Sequence, residues 1–233
     1  MAEQGTVVRS SGSVYGVRTA AGTLIDCRVK GNFRLKGIRS TNPVAVGDHV
    51  RFDIREDGTA YIVDILERRN YIVRKASNLS KQSHILAANL DQCFLIVTIS
   101  HPVTATTFID RFLATAEAYR VPVVLVFNKT DLYNDTEREE LEYLTALYEN
   151  IGYRCMHTSV VDGVGVEELK EAMRGKVSLL AGNSGKILGV AVESRFHKSD
   201  HERLLPIYAI DDSVIDITRI AYVKLEIQCD VLL

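Results

Sequence analysis

The chain has 233 residues, 46% hydrophobic and 25% charged, which is ordinary for a soluble globular protein and leaves room for one large or two small domains. No apolar run reaches the length that spans a bilayer, and the amino terminus lacks the charged and apolar regions of a signal peptide. These features argue against a membrane partner and predict a cytoplasmic protein, which we expect to be a monomer.

Charge is distributed unevenly along the chain. Residues 1–85 hold 14 Lys and Arg against 8 Asp and Glu, a balance of +6, whereas residues 86–233 hold 14 against 22, a balance of −8. Together they give the net charge of −2. This asymmetry predicts two units, the first of which faces a polyanion, although uneven solvation of the surface would give the same counts.

The four cysteines are too far apart in the sequence for a C-x-x-C metal pair. We expect them to be small buried residues in a reducing cytosol, and we predict no metal site. They are Cys27, Cys93, Cys155 and Cys229.

Residues 1–75 are predicted to form a small basic β-barrel. Short segments typical of strands are separated by turn signals such as Asp57-Gly58, and helix signals are few. Five strands in so short a stretch indicate a Greek-key barrel of the OB type, an architecture that binds oligonucleotides. The segments are 5–9, 13–19, 24–30, 50–54 and 61–66.

Cationic side chains cluster around one aromatic residue in this predicted barrel. Lysines and arginines suit a phosphate backbone, and the ring of Phe33 can stack on a base. A solvated loop with Phe33 packed into the barrel is the alternative. The candidates for RNA binding are Arg28, Lys30, Phe33, Arg34 and Lys36.

Residues 76–84 are mostly polar and are predicted to be a linker, and residues 85–185 are predicted to be an α/β domain. Alternation of strands and helices predicts right-handed crossovers and a doubly wound parallel sheet. The expected strands are 93–99, 121–127, 153–158 and 177–181, and the expected helices are 107–119, 135–150 and 166–173.

The apolar segment 121–127 runs directly into the tetrad Asn128-Lys129-Thr130-Asp131. A buried parallel strand would place this tetrad at its carboxyl end, where open α/β sheets bind ligands. The carboxylate of Asp131 can accept from both donors of guanine, the Asn128 amide can bond its acceptor edge, and the Lys129 stem can cover the base. The pattern is the guanine-specificity motif Asn-Lys-x-Asp of GTPases.

A second polar segment, Thr158-Ser159-Val160, follows the next predicted strand. The hydroxyl and backbone N–H of Ser159 could complete the base pocket by reaching the guanine oxygen. A serine in such a loop is more often only a helix cap.

The order of these parts resembles the circularly permuted GTPases of the RsgA (YjeQ) family. Ordinary GTPases carry the phosphate loop first, whereas here it is the tetrad that comes first and Gly182-Asn183-Ser184-Gly185-Lys186 that follows. The resemblance covers residues 5 to about 185. It also includes the segments 30–34, 43–48, 88–92 and 108–113.

This resemblance implies an OB barrel followed by a permuted P-loop-type GTPase domain. It also implies ribosome-stimulated GTP hydrolysis in late maturation of the small (30S) ribosomal subunit. GTP or GDP with Mg²⁺ would be the ligands, and the small subunit and its rRNA the partners. No catalytic residue is assigned.

The phosphate loop departs from the family pattern after Gly185. A loop of the form G-x-x-x-x-G-K-[ST] cradles phosphates with backbone N–H groups and binds Mg²⁺ through its hydroxyl. Here Lys186 follows Gly185 at once, so two residues are missing, and Ile187 replaces the hydroxyl residue. We therefore predict that this chain binds GTP weakly and hydrolyses it poorly.

Residues 186–233 lack the other features that the resemblance implies, namely a switch Thr, an Asp-x-x-Gly motif and the Cys and His ligands of a zinc site. The alternation of helices and strands also ends. We expect this segment to be aberrant through truncation, a shifted reading frame or a sequence defect, and divergence within the family is the alternative.

Two other functions stay open. A non-hydrolysing RNA-binding protein with a vestigial guanine-nucleotide site would keep both the barrel and the tetrad. An unrelated doubly wound enzyme is disfavoured, because the sequence holds no complete Gly-rich dinucleotide fingerprint and no nucleophile–base pair.

Overall fold

A computed structural model describes residues 2–29, 43–75, 83–182 and 220–224 of the chain. These residues fall into two units, and the division lies between Leu90 and Asp91. The limits predicted from the sequence (1–75, 76–84, 85–185 and 186–233) stay predictions.

The first unit contains a closed five-stranded barrel, which confirms the predicted OB-like architecture. The strand order is β1-β2-β3-β5-β4, and β1 closes the barrel by pairing antiparallel with β4. Strands β3 and β5 pair in parallel. The strands are β1 Glu3–Ser11, β2 Val14–Thr19, β3 Leu24–Val29, β4 His49–Ile54 and β5 Ala60–Ile65.

Alternating side chains fill the barrel. In β4 the side chains of Val50 and Phe52 are fully buried while their neighbours face solvent, as the period of two predicts. They pack with Val7, Val17 and Ile62, each of which is also fully buried. Because one face of each strand is buried, the register of the barrel is fixed by this pattern.

A β-hairpin that the sequence did not predict follows the barrel. Strand β6 (Tyr71–Lys75) pairs antiparallel with β7 (Ser83–Ala88), so β7 begins inside the predicted linker. Gly47 lies against this hairpin with φ of +88°, and a Cβ there would lie 1.9 Å from the carbonyl oxygen of Ala88. Only glycine fits this close approach of two backbones.

The second unit is a five-stranded sheet of order β10-β9-β8-β11-β12, in which every neighbouring pair is parallel. The parallel sheet predicted from the sequence is therefore present. Its strands are β8 Gln92–Val97, β9 Val123–Asn128, β10 Arg154–Thr158, β11 Ser178–Gly182 and β12 Ile220–Lys224. Its helices are α1 Thr106–Ala118, α2 Asp135–Asn150 and α3 Val166–Met173.

Local sequence explains these elements well. All six residues of β8 are buried, as expected for a central parallel strand covered on both faces. Helix α2 begins with a capping box, in which the side chain of Asn134 accepts from the Glu137 N–H and Glu137 accepts from the Asn134 N–H. Strand β12 was not predicted, since it lies in the segment that we expected to be aberrant.

A buried ion pair links the barrel to the chain that leaves it. The Asp48 carboxylate is completely buried, and Arg68, whose side chain is 7% exposed, donates to both of its oxygens at 2.6 Å. The Ala45 N–H also donates to Asp48, and Arg68 donates to the carbonyl oxygen of Pro43. The pair is therefore bidentate, and each of its two side chains also bonds a backbone group.

Removing one partner should leave a buried charge without compensation. We expect Arg68→Ala to lower the free energy of unfolding of the barrel unit by about 3–5 kcal/mol, measured by urea denaturation followed through NMR signals of barrel residues.

The control is Arg51→Ala, because Arg51 pairs with Asp64 at 3.5 Å and both side chains are about half exposed. It should cost less than about 1 kcal/mol. Equal small losses in the two variants would contradict the assigned importance of the buried pair.

Candidate functional site

Two polar segments meet at the carboxyl edge of the sheet. Strands β9 and β10 pair in parallel with Asn128 opposite Thr158, each the last residue of its strand. The segments that follow, Lys129–Asp131 and Ser159–Val160, therefore begin side by side although they are distant in sequence. Ligands of open α/β sheets bind at this edge.

Three hydrogen bonds clamp these segments together. The Thr158 hydroxyl donates to the side-chain oxygen of Asn128 at 2.9 Å, and the Ser159 hydroxyl donates to Oδ1 of Asp131 at 2.8 Å. The Thr130 hydroxyl donates to the Thr158 carbonyl at 3.3 Å. Thr158 and Ser159 are completely buried, and the bond between Thr158 and Asn128 is therefore shielded from water, whereas Thr130 and Asp131 are partly exposed.

Asn128 lies deep in the second unit. Its side chain is only 2% exposed, and its oxygen is occupied by the Thr158 hydroxyl. The bond joins the two loops and uses only the oxygen of the amide. The expected bond to the acceptor edge of a base would use the amide N–H₂ and stays a prediction.

Asp131 is the carboxylate that the site presents. It is partly exposed in the short 3₁₀ turn Thr130–Leu132, and Ser159 fixes one of its oxygens. Its other oxygen, Oδ2, has no partner among the described residues. An oriented carboxylate of this kind can accept hydrogen bonds from a ligand that offers adjacent N–H groups.

Lys129 connects the tetrad to the loop that follows β8. Its backbone is left-handed, with φ of +67°, and its ammonium group donates to the carbonyl oxygen of His101 at 2.5 Å. His101 belongs to the loop that follows β8. The aliphatic stem of Lys129 is thus held between the ends of β8 and β9, where it offers an apolar surface for a flat ring.

Both polar groups of Ser159 are used within the protein. Its N–H donates to the Val164 carbonyl at 3.0 Å. Its hydroxyl donates to Asp131 and accepts from the Asp162 N–H. The expected reach of Ser159 to a guanine oxygen would need these bonds to be released. The structure thus favours a positioning role for this residue.

A glycine that closes this loop, Gly165, was not predicted from the sequence to have a role in the site. Gly165 has φ of +68°, and a Cβ there would lie 2.0 Å from the His157 carbonyl oxygen. The only signal in the sequence is the pair of glycines in Asp162-Gly163-Val164-Gly165, which is typical of a tight loop.

The predicted phosphate loop starts at the same edge of the sheet. Strand β11 ends at the buried Gly182, which pairs with Ile96 of β8. Because β8 separates β11 from β9, the two strand ends are about 10 Å apart. The other predicted loop residues, Asn183, Ser184, Gly185 and Lys186, lie outside the described residues.

The candidates for RNA binding are only partly covered by the structure. Arg28 is an exposed residue of β3. Lys30, Phe33, Arg34 and Lys36 lie outside the described residues. Within the described ranges, no group of three or more His, Cys, Asp or Glu is placed to hold a metal ion, and no helix is long and apolar enough to cross a membrane.

The order of these features along the chain defines the class of protein. A five-stranded barrel precedes a parallel α/β unit. Within that unit the Asn128–Asp131 tetrad comes before the strand that leads into the predicted phosphate loop, which is the order found in circularly permuted GTPases. The model of the RsgA GTPase family matches residues 65–186, and that of the RsgA N-terminal domain matches residues 4–62. The chain belongs to the RsgA family, as its sequence motifs indicated.

Relatives of known name support this assignment. The chain is 60% identical over 182 residues to the small ribosomal subunit biogenesis GTPase RsgA of Phocaeicola vulgatus, which covers 78% of this chain and 59% of the relative. It is 58% identical over 183 residues to the protein of the same name from Porphyromonas gingivalis, covering 78% of this chain and 58% of that one. The chain thus spans less than two thirds of the length of these curated relatives.

Solved structures give the same result. YjeQ from Thermotoga maritima superposes with a TM-score of 0.66 at 33% identity, covering 83% of this chain and 65% of that one. YloQ, described as a circularly permuted GTPase, gives a TM-score of 0.62 at 25% identity, covering 84% and 66% of the two chains. The family match ends at Lys186, next to the position where the phosphate loop departs from its pattern.

Proposed function

We propose that this chain binds guanine nucleotides through its clamped tetrad and acts as a GTP-hydrolysing factor in late maturation of the small (30S) ribosomal subunit. The observation that carries the proposal is Asp131, a carboxylate fixed by Ser159 whose second oxygen has no partner among the described residues. Guanine offers two adjacent donors, N1–H and the exocyclic amine, to one carboxylate. Adenine has an acceptor at N1, which the carboxylate would repel.

The biological role rests on the relatives, which are named small ribosomal subunit biogenesis GTPases. By the same reasoning the partners are the small subunit and its rRNA, and the compartment is the cytoplasm, where we expect the chain to act as a monomer.

The phosphate half of the site fits a nucleotide less well than the base half. Backbone N–H groups of residues 182–186 would hold the phosphates, and the Lys186 ammonium would reach their oxygens. The next residue, Ile187, supplies no oxygen for Mg²⁺, and the loop is two residues short. We therefore assign no catalytic step to a bound metal and expect slow hydrolysis by this chain.

The shortened phosphate loop is also consistent with a second function. A non-hydrolysing RNA-binding protein with a vestigial guanine site would retain the barrel and the clamped tetrad but not the phosphate loop. The juxtaposition of Gly185 and Lys186 is the specific observation that favours it.

The guanine preference can be tested by Asp131→Asn. The amide keeps an acceptor for the Ser159 hydroxyl but turns a donor toward one donor of guanine, and it suits the C2 carbonyl of xanthine. We expect affinity for GMP to fall about 100-fold, as loss of charge-assisted hydrogen bonds predicts. Affinity for XMP should rise. Both are measured by NMR titration.

The matched control is Asp135→Asn, which makes the same substitution at an exposed residue in the first turn of α2. Its affinity for GMP should stay at the level of the unmodified chain. An Asp131→Asn variant that binds GMP as the control does would remove the basis of the proposal.

The weakness of the phosphate half predicts unusual ligand affinities. GMP, GDP and GTP with Mg²⁺ should bind within about threefold of one another, because the base contributes most of the binding free energy and the phosphates little. Calorimetric titration of the three nucleotides against the unmodified chain is the measurement. GTP binding more than tenfold tighter than GMP would show that the shortened loop still holds phosphates.

RNA binding by the barrel can be tested by its salt dependence. We expect replacement of Lys30, Arg34 and Lys36 with Gln to weaken binding to purified small ribosomal subunits. The slope of log K against log salt should fall by roughly 0.7–0.9 for each phosphate that the variant no longer neutralises. Replacing Arg111, Arg154 and Arg174, exposed residues of the α/β unit, with Gln is the control. Equal weakening in both variants would contradict a barrel-centred interface.

A further inference from the structure

A buried phenol closes the segment that carries Asp131. Tyr133 follows the 3₁₀ turn and is 4% exposed. Its hydroxyl donates to the backbone carbonyl of Asn128 at 2.5 Å and accepts from the Ile99 N–H at 3.0 Å. The segment 128–133 is thereby tied back on itself and to the end of β8, with Asp131 inside the closed segment.

Other bonds hold Tyr133 in place. Its own carbonyl accepts from the Arg138 guanidinium at 3.0 Å, and the Leu132 N–H donates to the Lys129 carbonyl at 3.0 Å. Burial raises the pKa of Tyr133 to about 12, and the nearby carboxylates of Glu137 and Asp131 act in the same direction against the Ile99 N–H. The phenol therefore keeps its proton and remains a donor at physiological pH.

The backbone inside this closed segment is one that a free chain seldom adopts. Lys129 has φ of +67°, in the left-handed region that disfavours residues with a Cβ. Such a conformation persists only where the surrounding contacts determine it. The Tyr133 hydroxyl makes two of these contacts, one to Asn128 at the end of β9 and one to Ile99 in the loop after β8.

We propose that Tyr133 is a positioning residue, which holds Asp131 ready to accept the donors of guanine without touching the base itself. This inference rests on the proposed guanine binding. Without the hydroxyl, the carbonyl of Asn128 and the N–H of Ile99 lose their partner, and the segment samples other conformations. The apparent dissociation constant for the guanine nucleotide then equals the intrinsic constant divided by the fraction of molecules that keep the binding conformation.

Tyr133→Phe tests the proposal, because it removes the hydroxyl and keeps the ring. The matched control is Tyr148→Phe, which removes another hydroxyl in the same unit: Tyr148 is 2% exposed and donates to Asp110 at 2.9 Å. With both variants held where circular dichroism shows them folded, we expect GMP affinity to fall roughly tenfold for Tyr133→Phe only.

Backbone amide signals distinguish positioning from general stability. The signals of residues 129–132 should broaden or shift in free Tyr133→Phe and return to their unmodified positions at saturating GMP. A loss of overall stability would not produce this local, ligand-reversible change. Tyr148→Phe should show neither effect.

A measurement on the unmodified chain covers the case in which Tyr133→Phe does not fold. If opening of the Tyr133 contact and nucleotide binding exclude each other, GMP at ten times its dissociation constant should slow hydrogen exchange of the Ile99 amide roughly tenfold. AMP should not.

The outcomes separate the two proposals. Unchanged GMP affinity in Tyr133→Phe, or unchanged Ile99 exchange on adding GMP that does bind, overturns the positioning role and leaves guanine binding intact. Absence of any preference for GMP over AMP in the unmodified chain overturns the proposed function, and the inference with it.

Discussion

The parallel register of β9 and β10 is the constraint on which the candidate site depends. It sets Asn128 beside Thr158, so that the tetrad and the Ser159 loop leave the sheet at the same level. Side chains alternate between the faces of a strand, and a slip of one residue would therefore send the Thr158 hydroxyl to the opposite face from Asn128. The apolar residues that bury β9 and β10 fix this register, and thus the core specifies the site.

Hydrogen bonds from uncharged hydroxyl groups join the loops of the site, whereas a buried ion pair joins the barrel to the chain that leaves it. The hydroxyls of Thr158, Ser159 and Tyr133 each satisfy an oxygen at the sheet edge and bring no charge of their own. A cation in their place would neutralise Asp131, the carboxylate that the site has to present. Arg68 can neutralise Asp48 because that carboxylate is completely buried and serves only the fold.

Sequence predicts most of the elements because their signals are local. The acidic first turn and apolar face of α2 and the apolar run of β8 each identify an element without knowledge of its neighbours. The β6–β7 hairpin was missed because its stability comes from pairing across a polar segment. In the site, sequence identified Asn128 and Asp131 and the role proposed for Asp131, but not the burial of Asn128 or the bonds from Thr158 and Ser159, since these depend on the fold. Tyr133 carried no signal, because its partners are backbone groups of Asn128 and Ile99.

The two halves of the nucleotide site differ in how much they depend on the rest of the chain. The described hydrogen bonds that shape the base half lie within residues 99–165, on β9, β10 and the loops after β8, β9 and β10. The phosphate half begins on β11, on the other side of β8. A change after Gly185 would therefore leave in place each hydrogen bond that orients Asp131 among the described residues. The proposed base recognition would therefore not require an intact phosphate loop, because the sheet places the two halves on separate strands.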